Sequence, residues 1–490
     1  MSFGLGVSIA LVGYIALLLC LGIYARSRGE QKTLGEFYLA GRNLGGAVLL
    51  FTLYATQYSG NTLVGYPGEA YRMGFAWIMS VGFMMAIVVG YHLLVPRLYR
   101  LARLNQFITP GDWIDFRFGS PRLSLLANVL LMIAISNYLL AQLMAMGHVV
   151  AGLSDQRIPY ALGVVVLALV IIVYETLGGM RAVAWTDALQ GLLLLVGLTG
   201  VLFAAAPSLS HLTATSAWIV DNVPEKAYVP ETSVSLTWLS TLLLIGFSGA
   251  VYPQAIQRIY AARSARSLRR ALSIMTFMPL VTSFTVFMIG IIGITRFAEL
   301  GELRADQIMP MLLREWSTES TFLFVMSMFV VTGVFAAIMS TADSVLLSLS
   351  SMLAKDIVGK HLKPSASDED LTRIGKKLSW MVMALLVAIA LVPRITLWGL
   401  LELKMEILIQ VGPLFMLGLG WRRLTARAAF AGMIAGTVLG AGLTLAGYGK
   451  IYGIHAGLLG ALLNLAVCFS VSLLRPRSAP APDVAHPVEA

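Results

Sequence analysis

Apolar runs of about 20 residues, the length a helix needs to cross a bilayer, recur from end to end of this 490-residue chain with short polar breaks between them. In hydrocarbon the backbone has to pair its own polar groups, which for runs of this length means helices. The composition agrees. Charged residues make up 12% of the chain and hydrophobic residues 58%, against about 25% charged in soluble domains. No Pro/Ser-rich linker divides the chain before Arg475, so a single membrane domain is expected. The net charge of +10 does not point to nucleic acid, because the basic residues sit in the breaks between apolar runs rather than in one patch. The lipid bilayer is the implied partner. Cys20 and Cys468 both lie inside apolar runs, so neither a disulfide framework nor a cysteine metal site is indicated. At the N-terminus Arg26 and Arg28 follow the apolar segment instead of preceding it, which predicts an uncleaved first helix rather than a signal peptide.

Thirteen spans are expected, among them the second at 45–68, the fourth at 123–152, the seventh at 234–256, the ninth at 320–351 and the eleventh at 396–420. With the N-terminus outside, most of the 35 Lys and Arg residues fall in inside loops, including Arg97, Arg100, Arg103, Arg258, Arg263, Arg266, Arg269 and Arg270. The positive-inside rule then sets the N-terminus outside and the C-terminus in the cytoplasm, in a cell inner membrane.

Two spans carry residues that interrupt helices. The second reads YATQYSGNTLVGYPG (Tyr54 to Gly68), with Ser59-Gly60 at mid-depth; the seventh reads LLIGFSGAVYPQ, with Gly246, Ser248, Gly249 and then Pro253. Glycine weakens a helix and proline removes a donor, while glycine also permits close helix packing. Both breaks lie five spans apart, as a pair of inverted five-helix repeats requires, and unwound carbonyls at such breaks can replace the hydration shell of a cation. In the ninth span, AAIMSTADSVLLSLSSMLAKDI gathers Ala337, Ser340, Thr341, Asp343 and Ser344. Hydroxyls and carbonyls suit a hard cation, although Ser and Thr also satisfy themselves on the preceding helical turn. A carboxylate within a span faces a cavity, a partner or an ion path.

The segment ETLGGMRAVAWTDALQG (Glu175 to Gly191) resembles the signature of the sodium:solute symporter family, and the Ser340 segment resembles its sodium-site helix. FYLAGRNLGG, ATQYSGNTLVGYPGEAY and VYPQAIQRIYAARS extend the likeness over nearly the whole chain, most strongly toward the proline and pantothenate branches. This resemblance implies an all-α LeuT-type fold with an extra N-terminal helix, two inverted repeats and alternating access. The corresponding division is 1–44 for the extra helix and first loop, 45–206 and 234–427 for the repeats, 207–233 for an outer loop, 428–474 for two last helices and 475–490 for a tail.

It also implies a Na+ site formed by carbonyls of Ala55, Tyr58 and Ala337 and hydroxyls of Ser340 and Thr341, with Asp187 close by as a sodium residue for a second ion or the exit path, or else a helix-start aspartate near a positive dipole end. Arg42 is either an inner gate or a positive-inside anchor. Proline-type members have an aspartate where this chain has Gln57 and a tryptophan where it has Ile245, so proline itself is not indicated. Solute contacts are expected from Gln57, Asn61, Tyr138, Gln142, Phe247, Ser248 and Tyr252. Glu402, Lys404 and Glu406 stand together in the eleventh span, either as a structural ion pair or lining a vestibule.

The expected function is sodium-coupled symport of a small organic acid, amino acid or pantothenate-like solute, with Na+ as coupling ion and no other cofactor. The alternatives are proton coupling through Asp343, Asp187 or Glu406, or sensing through a partner, since the tail after Leu474 is too short for an output domain. An enzyme is not expected: no nucleophile elbow or phosphate loop appears, and His92, His148 and His455 are widely scattered.

Overall fold

The computed structural model describes residues 3–27, 33–154, 157–205, 209–392 and 396–474. The expected tail, 475–490, lies outside the described residues. Within them the regular structure is helical except for an antiparallel hairpin that pairs Lys450–Ile451 with Ile454–His455. Eight of the described helices are long and apolar enough to cross a membrane, so the protein is an all-helical integral membrane protein.

Helix count and span count differ for physical reasons. The 46 residues of Tyr160–Ala205 would make about 69 Å of straight helix at 1.5 Å per residue, more than twice the ~30 Å hydrocarbon core. They form two helical pieces that meet without a linker at a kink at Gly179, where φ is 54° and ψ −156°. A Cβ there would lie 2.7 Å from the Phe37 carbonyl oxygen, so both the backbone and the space require glycine. Other segments divide. Gly46–Gln57 stops before Tyr66–Met73, Thr232–Gly249 before Pro253–Ala261, and Leu397–Leu408 before Gly412–Gly420.

The Ser340 helix, Thr321–Ser351, packs along the C-terminal half of Tyr160–Ala205. A Cβ on Gly197 would sit 2.9 Å from Val330 N, and one on Gly333 would sit 2.9 Å from Leu194 Cα. Small residues therefore bring two backbones into van der Waals contact, the form of association that works where lipid is as apolar as a side chain.

At one end of the bundle the chain before Gly46 is tied to the end of Pro253–Ala261. Leu44 N donates to Ala261 O at 3.0 Å, and Arg263 N donates to Leu44 O at 2.6 Å. Arg42 fastens the same corner, donating to Phe107 O at 2.7 Å and Tyr260 O at 3.3 Å. Nearby, the buried Arg117 donates to the carbonyls of Gly418, Trp421, Arg422 and Leu424. The carbonyls lie at the end of Gly412–Gly420 and in the connection that follows it, where a helix no longer supplies the partners. The opposite end is covered by aromatic rings: Trp77 stands 4.8 Å from Trp398 and 5.5 Å from Tyr66, with Phe83 beside them.

Candidate functional site

The site is built where Gly46–Gln57 ends. Tyr58 adopts φ −96° and ψ 99°, an extended conformation that takes the chain out of the helix. The Gly60 N–H, instead of bonding back along its own helix, donates to Gln142 Oε1 at 2.9 Å. Carbonyls of Ala55 and Tyr58 thus lie at an interrupted ladder, the arrangement that frees backbone oxygen for a cation. Gly60 fits against the Ser340 and Tyr138 helices without room for a side chain: a Cβ would meet Ile338 Cγ1 at 2.7 Å and Ala145 Cβ at 2.8 Å.

Along the Ser340 helix, Ala337, Ser340, Thr341, Asp343 and Ser344 are all buried. Their hydroxyls differ in partners. Ser340 Oγ donates to Asp187 Oδ1 at 2.5 Å. Ser344 Oγ also accepts from Arg258. Thr341 Oγ1 is buried with no hydrogen-bond partner, and so is Asp343 Oδ2. Leaving a buried hydroxyl unpaired costs about 1–3 kcal/mol and a carboxylate oxygen more, so Thr341 and Asp343 are the two positions in this cluster left in need of a partner.

Asp187 is fully buried and paired. Arg258 Nη2 donates to its Oδ2 at 2.8 Å, and the Thr52 hydroxyl donates to the same oxygen. Arg258, counted among the inside-loop charges from sequence, is itself 0% exposed and belongs to the core. Its Nε also donates to Thr52 Oγ1 at 2.8 Å. Four elements therefore meet on one ion pair: the two pieces flanking the breaks, the Asp187 helix and the Ser340 helix. The charge of Asp187 is balanced by Arg258, and its other oxygen holds the Ser340 hydroxyl.

On the other side of the breaks, Tyr138 and Tyr252 stack at 5.8 Å with 28° between their planes. Lys404 Nζ lies 3.3 Å from the Tyr138 ring centroid and 4.8 Å from that of Tyr252, with the residue 1% exposed. Glu402 and Glu406 do not pair with it. Two residues along a helix is a rotation of about 200°, so the acids face away: Glu402 holds Lys450 at 2.8 Å and Trp398 Nε1 at 2.9 Å, and Glu406 takes Thr444 at 3.1 Å. Two aromatic rings return roughly 0.5–2 kcal/mol, short of the several kcal/mol lost when an ammonium leaves water.

The expected solute residues divide. Gln57, Tyr138, Gln142, Ser248 and Tyr252 are buried. Gln57 Nε2 donates to Met84 O at 3.2 Å while its Oε1 has no partner. Ser248 Oγ donates to Met405 O at 2.8 Å, and Tyr252 OH to Met405 Sδ at 3.3 Å, which ties the second break to the Lys404 helix. Gln142 is occupied with Gly60. Phe247 is 37% exposed and outside the packed core; its neighbours Gly246 and Gly249 face Ala86 and Ile87, which turns Phe247 outward. The side chain of Asn61 lies outside the described residues. Arg258 and Thr52 were not expected from sequence as site residues; an arginine about one and a half turns after Pro253 on an otherwise apolar and amide-rich stretch was the available signal.

A separate acidic group, Asp112, Asp115 and Asp356, is already occupied by cations, with Lys355 Nζ 2.5 Å from Asp112 and Lys360 Nζ 2.6 Å from Asp356.

A helix that breaks at Tyr58 and packs through Gly60 against a second helix carrying buried hydroxyls is an arrangement ion-coupled carriers use, and the sequence profile of the sodium:solute symporter family matches residues 37–436. The chain belongs to the sodium:solute symporter family. Among its relatives, the sodium/pantothenate symporter of Escherichia coli (strain K12) is 28% identical over 89% of this chain and 90% of its own length. The high-affinity proline transporter PutP of Bacillus subtilis (strain 168) is 27% identical over 90% and 94%. A solved structure of a Na+-coupled sialic acid symporter, in a substrate-bound outward-open state, shares the fold with TM-score 0.79 and 22% identity, covering 98% of this chain and all of that one. Members of this family are transporters and not enzymes, and Na+ is their coupling ion. The protein is accordingly an integral membrane Na+-coupled solute symporter.

Proposed function

We propose that the chain carries one small organic solute with Na+ by alternating access, in a cell inner membrane with the N-terminus outside. In this reading thirteen spans form an extra first helix (1–44), two inverted five-helix repeats (45–206 and 234–427) joined through 207–233, and two last helices (428–474). Na+ is held by the carbonyls of Ala55, Tyr58 and Ala337 and the hydroxyls of Ser340 and Thr341, with Asp187 steering Ser340. The solute, an organic acid, amino acid or pantothenate-like compound, lies among Gln57, Tyr138, Gln142, Ser248 and Tyr252.

The observation that supports this most is the unpaired buried hydroxyl of Thr341, on the helix face that Gly60 of the first break packs against. Closure of one end by the Leu44, Ala261 and Arg263 backbone bonds and of the other by the rings around Trp77 supports a site reached from one side at a time. The test is thermal unfolding of the purified protein in detergent. Na+ raises the midpoint over K+ or choline at equal ionic strength, and Thr341→Ala shifts the effect to higher Na+. A midpoint indifferent to Na+ sinks the proposal.

Proton coupling has one observation in its favour, the unpaired Oδ2 of Asp343. A midpoint that follows pH but not Na+ would select it.

A further inference from the structure

Lys404 is a buried lysine that faces no anion among the described residues. Its residue is 1% exposed, and among the described residues no carboxylate pairs with it: Glu402 and Glu406 are turned to Lys450, Thr444 and His455 on the opposite helix face. Its ammonium is aimed between the rings of Tyr138 and Tyr252, the first from the helix that holds Gly60 through Gln142 and the second from the break before Pro253. Ring faces attract a cation weakly and leave its hydrogen-bond donors unfilled. A bound anion would fill them.

We propose that Lys404 is the specificity-determining anchor for a carboxylate on the transported solute, and that this solute is a net anion rather than a zwitterionic amino acid. The second half follows from the charges of the proposed solute residues. Among the described ones Gln57, Gln142, Ser248, Tyr138 and Tyr252 carry no negative charge to pair with an ammonium group, and Asp187 is committed to Arg258. Gln57 Oε1, buried and unpartnered, accepts a hydroxyl or amide N–H on the same solute. With the carboxylate in place the ammonium gains a charge-assisted bond in a low-dielectric site, where such bonds are strongest. This inference rests on the solute site proposed above.

The experiment uses the full-length protein in detergent with saturating Na+, reading the thermal midpoint against propionate, pyruvate, pantothenate, propionamide, L-proline and glucose. At least one carboxylate anion is expected to raise the midpoint, while propionamide, L-proline and glucose at the same concentration do not. In Lys404→Met, which keeps the length and apolar stem, the effective anion concentration is expected to rise at least tenfold, about 1.4 kcal/mol, with the Na+ half-saturation unchanged. Lys404→Arg, which keeps the charge, retains the anion response and serves if the methionine variant does not fold. Stabilisation by L-proline or glucose alone, no response to any anion, or an undiminished anion response in Lys404→Met overturns the proposal. A Na+ titration of the same samples separates the two readings: an anion response without Na+ dependence refutes the coupling and leaves the anchor standing.

Discussion

Arg258 Nη2 and Asp187 Oδ2 stand 2.8 Å apart with neither side chain exposed, and the pair binds the segment after the second break to the helix that steers Ser340. Removing one partner of such a pair leaves a buried charge uncompensated, at about 3–5 kcal/mol, whereas removing both can be close to neutral. Asp187→Asn is therefore expected to lower the thermal midpoint strongly, and Asp187→Asn with Arg258→Met to recover a large part of the loss. If the double variant is no more stable than the single, the pair does not carry the compensation ascribed to it.

Ser340 and Thr341 are expected to differ. Ser340→Ala deletes a bond to Asp187 and should weaken both stability and Na+ response. Thr341→Ala removes a hydroxyl to which the structure gives no hydrogen-bond partner, so in the absence of Na+ its midpoint should fall less than that of Ser340→Ala while its half-saturating Na+ rises several-fold. Equal stability losses in Na+-free buffer would assign Thr341 a structural role.

Gln142 Oε1 is taken by the Gly60 N–H, so Gln142 is expected to act through the first break as well as lining the proposed solute site. Gln142→Ala leaves the Gly60 N–H without its acceptor, a loss of about 1–3 kcal/mol, and is expected to reduce Na+ and solute affinity together. A change in solute affinity alone would leave Gln142 only its direct solute contact.

In the Pro110–Phe118 helix, Asp112 Oδ2 accepts from Ile108 N at 2.6 Å and Thr109 N at 3.1 Å as part of a capping box. Burial pushes its carboxyl up, but Lys355 and Lys360 outweigh that and hold it below the usual Asp range. A lowered carboxylate contributes stability that is present above its unfolded value and lost as the pH falls through the folded one. Asp112→Asn is expected to lower the midpoint at neutral pH by the equivalent of about 1–2 kcal/mol, with the gap to wild type closing at strongly acid pH. A gap independent of pH would remove the charge from the account.

Both helix breaks were legible because their causes are local: Ser59-Gly60 and Pro253 weaken a helix wherever they stand. Asp187 and Ser340 could be singled out as polar residues in apolar spans, but their link through Arg258 could not, because an arginine near a span end is indistinguishable by composition from an inside-loop charge. Lys404 shows the same limit. The helical period separates it from Glu402 and Glu406, yet only packing decides which face turns to Tyr138. Phe247 was placed in the site by its neighbours in sequence, while the glycines on either side of it take the packed positions.

Coupling itself is tested most directly by uptake into proteoliposomes. With labelled solutes from the panel above, an inward Na+ gradient is expected to drive concentrative uptake that collapses when Na+ is replaced by K+ or dissipated by a Na+ ionophore. Uptake that proceeds unchanged without Na+, or that follows an imposed proton gradient instead, would contradict the account.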